Sequence, residues 1–151
     1  MTEYFAELTR RFPDGFDPVN AVEEAGEMFN PPRGVFMIAL LGGAAIGCGA
    51  IQHLDEHTAE IKRMWVSPRS RGFGVGRRLL ENLEHEAGRA GRSRIVLDTN
   101  DSLTEAISMY RAHGYVAIDK YNDNPYAERW FAKHLHGRDD ARSTAAGSAT
   151  R

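Results

Sequence analysis

The sequence predicts an α/β fold, and three observations carry that expectation. Ala59 to Val66 alternates in polarity as a half-buried strand does. A glycine-rich turn follows it, with Gly72, Gly74 and Gly76 at alternate positions, and leads into a run with Val75, Leu79, Leu83, Ala87 and Ala90 on one helical face. Ile95-Val96-Leu97 is then a short continuous apolar run, the pattern of a strand covered on both faces.

The elements follow in order. A short helix is expected near Glu3 to Arg11. Asp17-Pro18 starts a second, a capping side chain followed by proline in the first turn. It should run to about Phe29, with Val22, Ala25 and Phe29 buried, and stop at Pro31-Pro32. Val35 to Leu41 and Ala44 to His53 read as two strands joined at Gly42-Gly43 by a tight hairpin. Leu54 to Thr58 is a polar turn, and Glu60 to Val66 is the third strand. The helix after the glycine turn ends at Gly91. Ser102-Leu103-Thr104-Glu105 has the form of a capping box, and opens a helix with Leu103, Ala106, Ile107 and Tyr110 on one face and Gly114 at its close. Tyr115 to Ile118 and Glu128 to Lys133 are the last strands. A domain over residues 1–136 is expected, with 137–151, rich in Gly, Ser, Thr, Ala and Arg, as a flexible tail.

The glycine turn is where chemistry is most legible. Glycine lets the backbone curl tightly and come close to a ligand. The helix that opens there offers free N–H groups and the positive end of its dipole, which suit phosphate. Arg69, Arg71, Arg77 and Arg78 add positive charge. A P-loop fails, because Gly76 is followed by Arg77-Arg78 and not Lys-Ser/Thr. A dinucleotide fingerprint counted from Gly74 lacks its third glycine, at Leu79, although Asp98 lies near the place of a ribose-binding acid. The pattern R-x-x-G-x-G fits Arg71, Gly74 and Gly76 without a gap.

The flanking segments resemble the GNAT superfamily of acetyltransferases. Ala59 to Pro68 is similar to that family's central strand and the turn after it, Gly76 to Gly91 to its coenzyme-carrying helix, and Arg94 to Asn100 to the next, parallel strand. Ala106 to Ile118, with Tyr110, Gly114 and Tyr115, is similar to its A-x-x-x-Y-x-x-x-G-Y/F segment. The resemblance covers about Gly34 to Leu135. It implies a mixed, mostly antiparallel central sheet with one parallel pair at the coenzyme site and helices on both faces. It implies acetyl-coenzyme A as cosubstrate, its pyrophosphate on the N–H groups of Arg71, Gly72, Phe73, Gly74, Val75, Gly76 and Arg77, and its pantetheine arm along Met64, Trp65 and Val66. Asn100 would bond the pantetheine amide or begin the turn before Ser102. The family's usual first strand is not evident: either it is missing, or Tyr4 to Leu8 supplies it.

The same resemblance implies Glu60 as the base that deprotonates the amine through water, and Tyr110 as the acid that protonates the departing thiolate. Chemistry supports both residue types, since an ammonium with pKa of about 10 must lose its proton before attack and a phenol can donate to a forming thiolate. The plain alternatives are an exposed strand-end glutamate paired with Lys62, and a core tyrosine. Asp123 is the next candidate base. Tyr121 to Tyr126 and Phe12 to Asp17 are loops whose acids and aromatics suit a cationic acceptor.

The remaining composition narrows the function. Nineteen Lys and Arg against 21 Asp and Glu give a net charge of −2, with no global basic field for nucleic acid. The single cysteine, Cys48, excludes an intrachain disulfide, suits a reducing cytoplasm and reads as a buried inert thiol. No apolar run is long enough for a membrane span. His53 and His57 flank a turn, and His134 and His136 have no Cys or acid at metal-site spacing, so solvated or strand-end histidines are expected and no metal. The expectation is an N-acetyltransferase that moves acetyl to a primary amine by direct attack in a ternary complex, with a homodimer open as an assembly. The alternatives are an acyl-coenzyme A sensor without turnover and, more distantly, a nucleotide-binding oxidoreductase.

Overall fold

The computed structural model describes residues 29–135. Six strands form one sheet in the order β1-β2-β3-β4-β6-β5. They are β1 (Gly34–Leu41), β2 (Ala44–His53), β3 (Thr58–Val66), β4 (Arg94–Thr99), β5 (Val116–Ala117) and β6 (Arg129–His134). All neighbours are antiparallel except β3 and β4, which run parallel and are joined by helix α1 (Val75–Arg89). Helix α2 (Thr104–Ala112) connects β4 to β5. This is the mixed sheet with a single parallel pair that the resemblance implies.

Local chemistry explains most of these elements. Gly42 and Gly43 have φ of 56° and 80°, the left-handed pair that a two-residue hairpin requires between β1 and β2. Between β2 and β3, the Asp55 carboxylate accepts the N–H groups of His57 and Thr58, both at 2.7 Å. Those bonds hold the turn and keep the Asp55 carboxyl below the usual range.

Among the described residues the larger core cluster lies between the sheet and the two helices. Ile51 of β2, Ala59 and Ile61 of β3, and Ile95 and Leu97 of β4 meet Leu80, Leu83 and Ala87 of α1, Ile107 and Tyr110 of α2, and Phe131 of β6. Two glycines in β2 let α1 approach this closely. A Cβ on Gly47 would come within 2.9 Å of the Trp65 carbonyl oxygen and 3.2 Å of Leu79, and one on Gly49 within 2.8 Å of Leu83.

Several expectations need correction. Leu80 joins the buried face of α1, while Ala90 is exposed, because the helix ends before Ala90 can reach the sheet. The start of α2 is shifted: it begins at Thr104 with Leu103, not Ser102, as N-cap, and the Ser102 N–H donates to Asn100 Oδ1 at 2.9 Å. β3 starts two residues earlier than read, and the Tyr115 to Ile118 strand shrinks to Val116–Ala117. Phe29 is buried as expected but lies in a turn, packed against Phe36 at 6.4 Å between ring centroids. The two early helices, the question of a first strand and the boundary at 136 fall outside the described residues. Both described helices pack on one face of the sheet, so a helix on the other face is likewise outside them.

Candidate active site

The parallel pair creates the site. β3 and β4 are in register from Thr58↔Arg94 to Ile61↔Leu97, and beyond that they share no pair, although β3 runs on to Val66 and β4 to Thr99. The far half of β3 thus runs past the end of its pairing with β4.

β3 also changes face within this stretch. Arg63 has φ of 59°, and the β2–β3 register slips between Cys48 and Ala50. The extra residue is a β-bulge. Before it, Ala59 and Ile61 point into the core under α1. After it, Met64 and Val66 take that side: a Cβ on Gly49 would meet Met64 Sδ at 2.6 Å, and one on Gly76 of α1 would meet Val66 Cγ2 at 3.5 Å. Glu60 and Lys62 consequently look to the opposite face.

On the helical side a cleft of about 340 Å³ opens beside the end of β3. Its walls are Met64, Trp65 and Val66, then Ser70, Arg71, Gly72, Gly74, Val75, Gly76 and Arg77, and finally Leu103, Glu105, Ala106 and Met109 at the start of α2. Gly74 is the N-cap of α1, with φ of 82° and no side-chain cap, and no acid stands in the first turn. The first N–H groups of a helix have no intrahelical partner, so this end offers donors and a positive pole to an anion. Arg71 folds back over the turn, its Nε donating to the Val66 carbonyl at 3.1 Å. Arg77 faces solvent and leans toward Glu81 at 3.8 Å.

Nine of the expected coenzyme-binding residues therefore come together: Met64, Trp65, Val66, Arg71, Gly72, Gly74, Val75, Gly76 and Arg77. Two do not. Phe73, expected for its backbone N–H, is 82% exposed and not itself a wall residue, although Gly72 and Gly74 on either side of it are. Asn100 is committed elsewhere, its Nδ2 donating to the Tyr126 carbonyl at 3.1 Å and to Glu128, and its Oδ1 accepting from Ser102. Leu103, Ala106 and Met109 were missed as wall residues. The α2 face that looked uniformly apolar in sequence divides in space: Ile107 and Tyr110 enter the core, and Leu103 and Ala106 face the cleft. Tyr110 is only 4% exposed and meets Tyr115 edge-on at 5.7 Å, and it is not a wall residue.

The opposite face carries the acids. Glu60 is 4% exposed, so the reading of an exposed strand-end glutamate is set aside, though its pairing with Lys62 is present, Nζ to Oε1 at 3.1 Å. Tyr121 donates its hydroxyl to Glu60 Oε2 at 2.5 Å, and burial followed by this carboxylate pushes the phenol pKa far above its ordinary value. Asp98 accepts from Asn122 Nδ2 at 2.5 Å and Asn124 Nδ2 at 3.1 Å, and Trp130 Nε1 donates to Asn122 Oδ1 at 2.9 Å. The loop after β5 is thereby tied to both parallel strands. Both Asp98 oxygens are engaged within the fold, which removes the acid on which the dinucleotide reading leaned. Asp123 is fully exposed and paired with Lys120 at 3.2 Å, away from these carboxylates.

Cys48 is buried and donates to the Arg63 carbonyl at 3.2 Å, and burial pushes its thiol up to about 11. Such a thiol is neutral at pH 7 and a poor nucleophile. Among the described residues no three His, Cys, Asp or Glu converge as metal ligands, and no helix is long and apolar enough to cross a membrane.

Known proteins match this arrangement. Residues 1–115 fit the family model described as acetyltransferase (GNAT) family. An IAA acetyltransferase from Azospirillum brasilense is 40% identical over 92 residues, which is 60% of this chain and 59% of the length of that relative. The crystal structure of a GNAT-family acetyltransferase from Staphylococcus aureus superposes with a TM-score of 0.78 at 18% identity, covering 88% of this chain and 89% of the other. A GNAT-family acetyltransferase from Elizabethkingia anophelis, solved with acetyl-CoA bound, has a TM-score of 0.62 at 18% identity over 81% of this chain and 93% of its own. The two structures establish a shared fold.

Proposed function

The chain belongs to the acetyltransferase (GNAT) family, and from that premise we propose that it transfers an acetyl group from acetyl-coenzyme A to a primary amine by direct attack in a ternary complex. One observation carries the reading. Where β3 and β4 part, a cleft floored by a helix N-terminus lies on one side of the sheet and a buried carboxylate on the other.

The two sides supply the needs of acetyl transfer. Gly74 to Arg77 hold the pyrophosphate with backbone N–H groups, and the edge of Met64 to Val66, beyond the last β3–β4 pair, takes the pantetheine amides as an added strand would. A backbone N–H of that edge also serves the developing oxyanion. Glu60, facing the acceptor side, receives the proton of the ammonium through water, since a nitrogen must be neutral to attack. Tyr110 returns a proton to the departing thiolate. No acyl-enzyme is required, and Cys48 is unsuited to forming one.

A panel of primary amines with acetyl-coenzyme A, read by release of free thiol, tests the proposal, with Glu60→Gln as its internal control. At least one amine should be acetylated, and Glu60→Gln should slow it most at low pH, recovering as pH approaches the pKa of the amine itself. Tight acetyl-coenzyme A binding without turnover on any amine would instead support the sensor reading.

A further inference from the structure

Glu60 already carries an ammonium ion. Its buried carboxylate has both oxygens engaged, Oε1 by Lys62 Nζ at 3.1 Å and Oε2 by the Tyr121 hydroxyl at 2.5 Å. The partners differ in how firmly they are held. Tyr121 is a neutral donor at the root of a loop fixed to Asp98 through Asn122 and Asn124. Lys62 sits on a flexible four-carbon stem, with its side chain 26% exposed. If one partner is to leave, it is the lysine.

We propose that Lys62 is an internal competitor of the substrate: its ammonium occupies the acceptor's place on Glu60 and is exchanged for an incoming alkylammonium, so that Lys62 sets acceptor affinity and fits the site to aliphatic primary amines. The inference rests on the reading of Glu60 as the acceptor-side carboxylate. Charge balance supports it. Removing one partner of a buried ion pair leaves an uncompensated charge and is costly. Exchanging one ammonium for another keeps the site neutral, and Lys62 can swing its head group into water as it leaves. An aliphatic amine is the same chemical species as the lysine terminus, a compact charge with three donors. An arylamine, uncharged at neutral pH, would displace the cation without replacing it. A guanidinium is planar and forked, a poor substitute for a point charge.

The test uses the full chain and n-butylammonium as probe, with aniline beside it, by calorimetry. Lys62→Met should bind butylammonium more tightly, by roughly tenfold or more, the worth of one hydrogen bond to a charged group. Lys62→Arg keeps a cation beside Glu60 but seats it less well, so its affinity should fall between those of Lys62→Met and the unmutated chain. Lys62→Met with Glu60→Gln should lose the gain, and aniline should bind poorly to all. In turnover, Lys62→Met should lower the acceptor KM and leave the acetyl-coenzyme A KM unchanged, a split that a merely structural lysine would not produce. Should Lys62→Met fail to fold, the unmutated chain still decides: the Lys62 side-chain ammonium resonance should move to its solvent-exposed position as butylammonium saturates. Unchanged or weaker butylammonium binding in Lys62→Met, or a Lys62 resonance unmoved at saturation, overturns the competitor while acetyl transfer to amines stands. Absence of both binding and transfer for every amine overturns the functional reading with it.

Discussion

Replacing Gly74 by alanine separates what the glycine turn does for the fold from what it does for a ligand. Gly74 has φ of 82°, and a Cβ built there would find only Arg77 Nη2, at 3.9 Å. The space is open, so the structural cost is backbone strain alone, about 1–2 kcal/mol for a non-glycine residue in the left-handed region. For a chain of this length that lowers Tm by roughly 2–8 °C. Coenzyme affinity should fall by more than strain explains. If the N–H groups around Gly74 hold pyrophosphate, the methyl group and the shifted backbone remove at least one charge-assisted hydrogen bond. That is about 1.5–3 kcal/mol, or roughly 10- to 150-fold in Kd. Gly76→Ala is the contrast. Its position is helical, so alanine adds about 1 kcal/mol of helix propensity. Against that, its Cβ stands 3.0 Å from Met109 Sδ and must push a flexible side chain aside. Its stability should hardly move. Calorimetry with acetyl-coenzyme A, and with a pantetheine lacking phosphate, alongside thermal melts, reads both effects. A Gly74→Ala protein with lowered Tm and full affinity would refute the cradle.

Arg71→Ala should weaken acetyl-coenzyme A binding by several-fold at low salt and less at high salt, because exposed charges are screened; an equal loss with phosphate-free pantetheine would show that Arg71 acts only through its bond to the Val66 carbonyl. Tyr110→Phe keeps the ring against Tyr115 and should leave coenzyme affinity nearly unchanged while turnover falls roughly 10²-fold or more; full turnover would make Tyr110 a core residue only. Cys48 gives a pH effect on stability. An ordinary thiol ionises near 9.0 and the buried one near 11, so the unfolded chain loses the proton first. The stabilisation is complete below pH 9 and fades as pH rises toward 11, by up to about 2–3 kcal/mol. Urea unfolding at neutral and alkaline pH should show this decline, and in Cys48→Ala it should be smaller, leaving the part owed to the buried phenols Tyr115 and Tyr121, whose pKa values are also raised; identical slopes in the two proteins would contradict it.

What could be read from sequence was what neighbours along the chain decide. Gly42-Gly43 dictates a hairpin, and three glycines before an amphipathic run dictate a strand-turn-helix, because each depends on backbone freedom within a few residues. The cleft wall from Met64 to Arg77 was legible for the same reason. Contacts across the sheet were not. Tyr121 lies 61 residues from Glu60, and Asn122 lies 24 from Asp98. Nothing in a polar loop states which buried acid it will satisfy. Asn100 is open to two readings in the sequence, a ligand for the pantetheine amide or the start of the turn before Ser102; its side chain does bond the Ser102 N–H, and the segment before β6 also reaches its amide. At the start of α2 the N-cap falls on Leu103 and not on Ser102, whose N–H bonds to Asn100 Oδ1.

The feature least visible in the sequence has the largest consequence. With regular alternation, Glu60, Lys62, Met64 and Val66 would all share one face of β3, and the acid would stand on the same side as the cleft. The bulge at Arg63 breaks that parity. Upstream of it the even-numbered residues face away from α1; downstream they face toward it. One strand can then present a carboxylate to one side of the sheet and apolar side chains to the other, with only three residues between Glu60 and Met64. The glycines of β2 belong to the same arrangement. Gly49 stands opposite the bulge, where a Cβ would collide with both Met64 and Leu83. Glycine there admits the turned Met64 beneath α1, so the close packing of helix on sheet and the change of face in β3 depend on the same missing side chain.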